Sequence, residues 1–410
     1  MSNAFRQMLC SLKKTGPRGR TRSDWRGAET LETRILPIAT VNFTGSALTI
    51  TGDSSDNNIS ISHVAGQLIV DANGGLITVA GSDVPSFQFN LNGAFSLTAT
   101  FGGGSDVLQV AGLPLKSVRI SMGDGLSNQV TLEGVAISGK LAIDAGNGAD
   151  SVTLLETSVA GTTLIDTGTN NDTIEIGDGA YIGATTITTG LGTDTVQIGS
   201  LEKARFAGKL TITTGGDADV VELSGLVTRG ISINSGDGAD TVNLENILAD
   251  GAVSVKTGND ADTVGVMALI QSGSGTNVFD LGSDTDVLNV SVSSFAAAMS
   301  IDLGSGVNNT ATIGDTVFNS RFTLNASGQA DSIGIDPVPS GGSQTTFFGA
   351  ARFNVGQATA VVIGAGDPDT IIKFLSRWSF TATGTPNSTL AVAANVSFFS
   401  PPVLKKFTLV

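Results

Sequence analysis

The chain has 410 residues, of which 53 are glycine, 40% are hydrophobic and only 14% are charged, with a formal charge of −15. Such a composition describes a folded, β-rich and turn-rich chain with ample material for a core, and its uniformity favours a repeat architecture over several unlike domains. Cys10 is the only cysteine and His63 the only histidine, which excludes an intrachain disulfide and a Cys/His zinc site and leaves a histidine-based catalytic arrangement a single residue to use.

Residues 1–34 carry eight Lys or Arg against three acids, so the rest of the chain is strongly acidic. An acidic body repels nucleic acid and anionic membranes and attracts cations. No apolar run approaches the roughly 18 to 20 residues of a membrane-spanning helix. Within residues 1–38, Leu31-Glu32-Thr33-Arg34-Ile35-Leu36 resembles the L-E-x-R-x-L export segment of many large bacterial surface proteins, with Pro37 where a second leucine is frequent. The resemblance implies a secreted or cell-surface protein in a calcium-rich setting; the plainer reading is a disordered basic tail.

Residues 39–96 include "LTITGDSSDNNISISHVAGQLIVDANGGLITV", short alternating runs separated by Gly, Asn and Asp, which predict hairpin-like strands. Placed before a repeat, they are expected to form an N-terminal β cap over an otherwise open strand edge.

From 97 to 336 one turn recurs, as in "AGNGADSVTL", "TGLGTDTVQI" and "SGDGADTVNL". Each ends in an acid or its amide: Asp106, Asn128, Asp150, Asp172, Asp194, Asp219, Asp240, Asp262, Asp286, Asn309 and Asp331, at spacings of 21 to 25 residues and most often 22. Apolar residues alternate on both sides, as Ile231 and Ile233 do before a turn and Val242 and Leu244 after it, the pattern of half-buried strands. A 22-residue unit is too short for strand plus helix and cannot bury its apolar face alone, so the units must stack. The expected fold is all-β, a right-handed parallel β-helix of about eleven coils. At roughly 4.8 Å per coil that is a rod about 50 Å long. Gly146, Gly168, Gly190, Gly215, Gly236, Gly258 and Gly282 are the glycines expected to turn the corner. Residues 337–410 lose the repeat and gain phenylalanine, which predicts a C-terminal cap; "GAGDPDTII" is a late echo whose Asp369 suits a last irregular coil.

Two readings explain the terminal aspartate. A turn ladder needs only the capacity of Asp or Asn to bond its own backbone. Yet carboxylates about 4.8 Å apart repel by roughly 1 kcal/mol even in water-like dielectric, no Lys or Arg lies in the turns, and Asp124, Asp217, Asp237, Asp260 and Asp284 add charge there. A hard divalent cation held by oxygens would neutralise such a column, calcium better than magnesium.

Gly236-Asp237-Gly238-Ala239-Asp240-Thr241-Val242 and its equivalents resemble the G-x-G-x-D-x-U core of the calcium-binding repeats of hemolysin-type (repeats-in-toxin) proteins. The resemblance implies several calcium ions held between coils, with ligands among Asp106, Asp150, Asp172, Asp194, Asp219, Asp237, Asp240, Asp260, Asp262, Asp284, Asp286 and Asp331. Here the first family glycine is usually Thr, Ser, Ala or Leu, and the motif comes once per coil, which predicts a single calcium edge. The function expected is an exported, non-enzymatic repeat protein with a structural or surface role. Two alternatives stand beside it: a polysaccharide-active lyase-type β-helix, with Lys203, Arg205 and Lys209 as its basic patch, and an adhesin or binding module without calcium, its cell-surface or polysaccharide partner unspecified.

Overall fold

The structure, a computed structural model, describes residues 37–199, 204–336, 344–364, 371–383, 388–393, 396–401 and 403–409. The export-like segment, Cys10, Lys203 and Asp369 lie outside the described residues. Pro37–Val410 form one compact unit. Among the described residues it has no helix and is 61% strand, and it winds as a right-handed parallel β-helix of about 12 turns.

Each coil has three sides. Ile231–Asp237 lies on the first face, Thr241–Glu245 on the second, and Leu248–Ala249 on the third. Every one of these strands pairs in parallel with its counterpart in the next coil: Ile231 with Val253, Val242 with Val264, Leu248 with Ile270. The polar stretch "ENILADGA" thus contributes a side of its own, with only two residues in ladder geometry. Alternation then decides what goes inside. Val242 and Leu244 are buried, as are Ile231 and Ile233, while the residues between them face outward. Identical rows repeat coil after coil, so one continuous interior runs the length of the molecule.

The first-face turn explains the glycines. Gly236 has φ +102°, and a Cβ there would collide with the Gly215 carbonyl oxygen of the preceding coil. Only a residue without a side chain lets the two turns stack this closely.

At the N-terminal end, Pro37–Phe43 and Ala47–Gly52 form a hairpin, as do Asn58–Val64 and Gln67–Asp71, with Ser86–Asn90 added antiparallel. Ala47–Gly52 already pairs in parallel with Phe95–Thr100 and Asn58–Val64 with Val107–Ala111. The first coil therefore lies inside the region read as a cap, interrupted by its own hairpins. His63 sits exposed on one of them. At the other end the repeat is lost from the sequence after residue 336, but the ladder continues: Ser332–Ile335 pairs with Ala360–Ile363, and that strand with Ser388–Val392. Coils here are longer, with Asn325 bonded to Asn354 across 29 residues, and aromatic rings fill the interior. Phe295, Phe318, Phe347, Phe374 and Phe398 stack at centroid distances of 5.6, 5.0, 4.7 and 5.6 Å.

Candidate functional site: a buried aspartate column

The turn that ends each first-face strand brings nine of the twelve expected aspartates together. Asp106, Asp150, Asp172, Asp194, Asp219, Asp240, Asp262, Asp286 and Asp331 form one column, none of them more than 2% exposed. They are joined coil to coil by one repeated hydrogen bond, in which a backbone N–H donates to the carboxyl of the following coil. Asp194 N–H donates to Oδ1 of Asp219 at 2.8 Å, Asp219 to Asp240 at 2.9 Å, and Asp240 to Asp262 at 2.9 Å. Asn128 and Asn309 occupy the same register and accept in the same way, from Asp106 and Asp286.

Sequence reasoning missed the first member of the column. The Asn57 N–H donates to Asp106 Oδ1 at 2.8 Å, across 49 residues. The signal was present in "TGDSSDNNIS", which has the turn's glycine and a terminal amide, but the hairpins between the two coils break the 22-residue spacing. Beyond Asp331 the register passes to Thr359 and Ser388, both buried.

Asp237, Asp260 and Asp284 stand apart from the column, on the exposed outer side of the turn, together with Asp124 and Asp217. These carboxylates precede the column position within the turn itself and are exposed where the column is buried. Asp217, Asp260 and Asp284 adopt left-handed backbone with φ of 75°, 80° and 79°. Their repulsion is diluted by uncharged neighbours: Asn259 Nδ2 donates to Asp237 and Asn147 Nδ2 to Asp124, at 2.7 and 2.8 Å. Asp260 and Asp284 do meet in adjacent coils, where the Asp260 N–H points to Asp284 Oδ2 at 3.4 Å.

The second carboxyl oxygen of the column decides its chemistry. Oδ2 of all nine aspartates is buried without a hydrogen-bond partner. The two asparagines reveal what that slot is built for, because their Oδ1 occupies the shared position and their Nδ2 must lie where Oδ2 lies in the others. Asn128 Nδ2 donates to the carbonyl oxygens of Gly123 and Ala145, at 3.1 and 2.9 Å, and Asn309 Nδ2 to that of Leu303 at 3.0 Å. A slot lined by carbonyl oxygens asks for a donor. An ionised carboxylate would turn a lone pair toward them; a protonated one supplies the O–H that fits.

At three coils the neighbouring hydroxyls agree, whereas Thr167 and Ser235, beside Asp172 and Asp240, have no carbonyl partner and can donate to the carboxyl. Thr189, Thr214 and Thr257 stand beside Asp194, Asp219 and Asp262, but each already donates to a carbonyl of the next coil, at 3.2, 3.1 and 3.0 Å. They have lone pairs to offer the carboxyl, not a second proton. Burial accordingly pushes Asp172, Asp219 and Asp286 up to about 7 and Asp106, Asp150 and Asp262 up to about 6. It raises Asp194, Asp240 and Asp331 as well.

Calcium takes six to eight oxygens, whereas the column has one free carboxyl oxygen per coil, in a slot that an amide NH2 fills. Among the described residues no group of three or more His, Cys, Asp or Glu side chains could hold a metal ion. The exposed carboxylates lie instead on the outer row, where Asp260 and Asp284 meet.

Fold and site together define a parallel β-solenoid repeat protein with a buried Asp/Asn column. No family model, curated protein or solved structure matches the chain.

Proposed function

We propose that this chain is a non-enzymatic structural rod, exported by the L-E-x-R-x-L-like segment to serve at a bacterial cell surface. The observation that carries the reading is the column itself: its aspartates are buried and each bonds the main chain of a neighbouring coil, so they tie the rod together and no substrate can reach them. The basic candidates Arg205 and Lys209 are exposed. Calcium enters this proposal on the outer row, where the Asp260 and Asp284 pair, which meets across adjacent coils, and main-chain carbonyls are the candidate ligands. There it would neutralise like charges and add stability by mass action, since the unfolded chain lacks the arrangement.

Thermal melting of the full chain in millimolar calcium and in chelator tests the metal. Calcium should raise the melting temperature, and Asp260→Asn with Asp284→Asn should abolish the difference while leaving the melt in chelator within about 0.5 kcal/mol, as exposed substitutions do. Coincident curves for the unmodified protein would remove calcium from the proposal. Turnover by the purified protein on any of a panel of acidic polysaccharides would overturn the non-enzymatic reading.

A further inference from the structure

The outward rows of the first face change sign along the rod. One register position, followed from coil to coil, reads Asp144, Asp166, Thr188, Thr213, Asn234, Lys256, Asp280, Asp302, Asn325, Asn354, Thr381 and Lys405. Acids are absent from its last four positions. From Arg321 to the C-terminus the chain has six Lys or Arg, and among the described residues the only acids there, Asp331 and Asp336, are buried.

Four of those cations line one groove of about 720 Å³, with no acid in its walls among the described residues. Arg321 and Arg377 come from the same row, two coils apart, with Ala350 between them. Arg352 lies in the intervening coil, between Thr323 and Ser379, and Lys405 one coil beyond Arg377. All four are exposed, and none has an ion-pair partner among the described residues. Four consecutive coils thus present one cation each, at a rise of about 4.8 Å. Unpaired like charges repel, and nothing described in the protein offsets them.

We propose that this groove binds a linear acidic polysaccharide, a polyuronate lying along the rod axis with its carboxylates against Arg321, Arg352, Arg377 and Lys405. A polymer with one anionic group per sugar unit can meet successive coils without bending, and Asn354 and Thr381, on the groove wall, offer hydrogen bonds to its hydroxyls. Nucleic acid suits the groove less well. Its one aromatic, Trp378, is 2% exposed and stacked on Phe374 and Phe398 at 4.8 and 4.3 Å, which leaves no open ring for a base. The proposal goes beyond the structural role and stands on the groove alone; failure of export or of calcium binding would leave it intact.

The test is binding of the full chain to immobilised polygalacturonate in chelator, which removes calcium bridging. Arg321→Ser, Arg352→Ser and Arg377→Ser together should weaken binding at least about tenfold and flatten its salt dependence, because three of four ionic contacts are gone. Replacing Lys13, Lys14, Arg18 and Arg20 by serine should change it by less than about twofold, since the ionic contacts are assigned to the four groove cations. Unchanged melting of the groove variant establishes that it is folded. Wild-type binding by that variant, loss of binding in the N-terminal one, equal retention of a neutral polysaccharide, or equally tight binding of single-stranded DNA would each overturn the proposal.

Discussion

Asp219 shows how one residue is put to two uses. Its Oδ1 accepts the Asp194 N–H, and its own N–H donates to Asp240; its Oδ2 sits where asparagine would place an NH2. Burial raises the Asp219 carboxyl to about 7 in the folded chain, whereas in the unfolded chain it lies near 3.9. Between about pH 4 and pH 7 the native state binds more protons, so the free energy of unfolding falls as pH rises through that window. Melts in chelator should show highest stability at the acid end and a decline toward neutrality; a rise over the same range would contradict a protonated column. Asparagine supplies the missing donor permanently. Asp219→Asn should raise stability at pH 7.5 by about 1 kcal/mol and leave it unchanged at pH 4, whereas Asp219→Ala strands the Asp194 N–H and should cost about 1 to 3 kcal/mol at both. If the column were a calcium site, the asparagine variant would lose stability in calcium instead. The sequence revealed the column from Asp106 to Asp331 and its spacing, though not Asn57 at its start. It could not reveal that the hydroxyls of Thr189, Thr214 and Thr257 are already committed to carbonyls, because that depends on the next coil.

At the scale of the coil, strand and turn were legible because two periods reinforce each other: alternation within a strand and recurrence every 22 residues. The third side was less so, since Ser158–Val159 and Leu248–Ala249 are too short to show alternation and are strands only because the coils above and below pair with them. The C-terminal coils hid for a different reason. Longer connections destroy the spacing, and what keeps the register is aromatic stacking, with Phe322, Phe353 and Phe380 aligned at 5.5 and 4.3 Å. Phe353 is fully buried between its neighbours. Phe353→Ala should cost about 3 to 5 kcal/mol, and hydrogen exchange should accelerate first in Phe322–Gln329 and Trp378–Ala382, the strands that flank it. Uniform acceleration along the rod would argue against this local dependence.

For the molecule as a whole, stacking makes stability a sum of coil and interface contributions, and a row of like residues becomes a physical object that no single coil contains. Three such rows matter here: the buried carboxyls, the outer acids and the cationic groove. The amino-acid sequence by itself determined the parallel solenoid, its 22-residue coil and the column from Asp106 to Asp331, because period and alternation are properties of one dimension. Only the tertiary structure decided which side of the wall each aspartate faces, that the column has a donor slot, and that four cations from separate coils share a groove. Those outcomes depend on what lies about 4.8 Å away in the adjacent coil, a neighbour that the linear chain places some 22 residues distant.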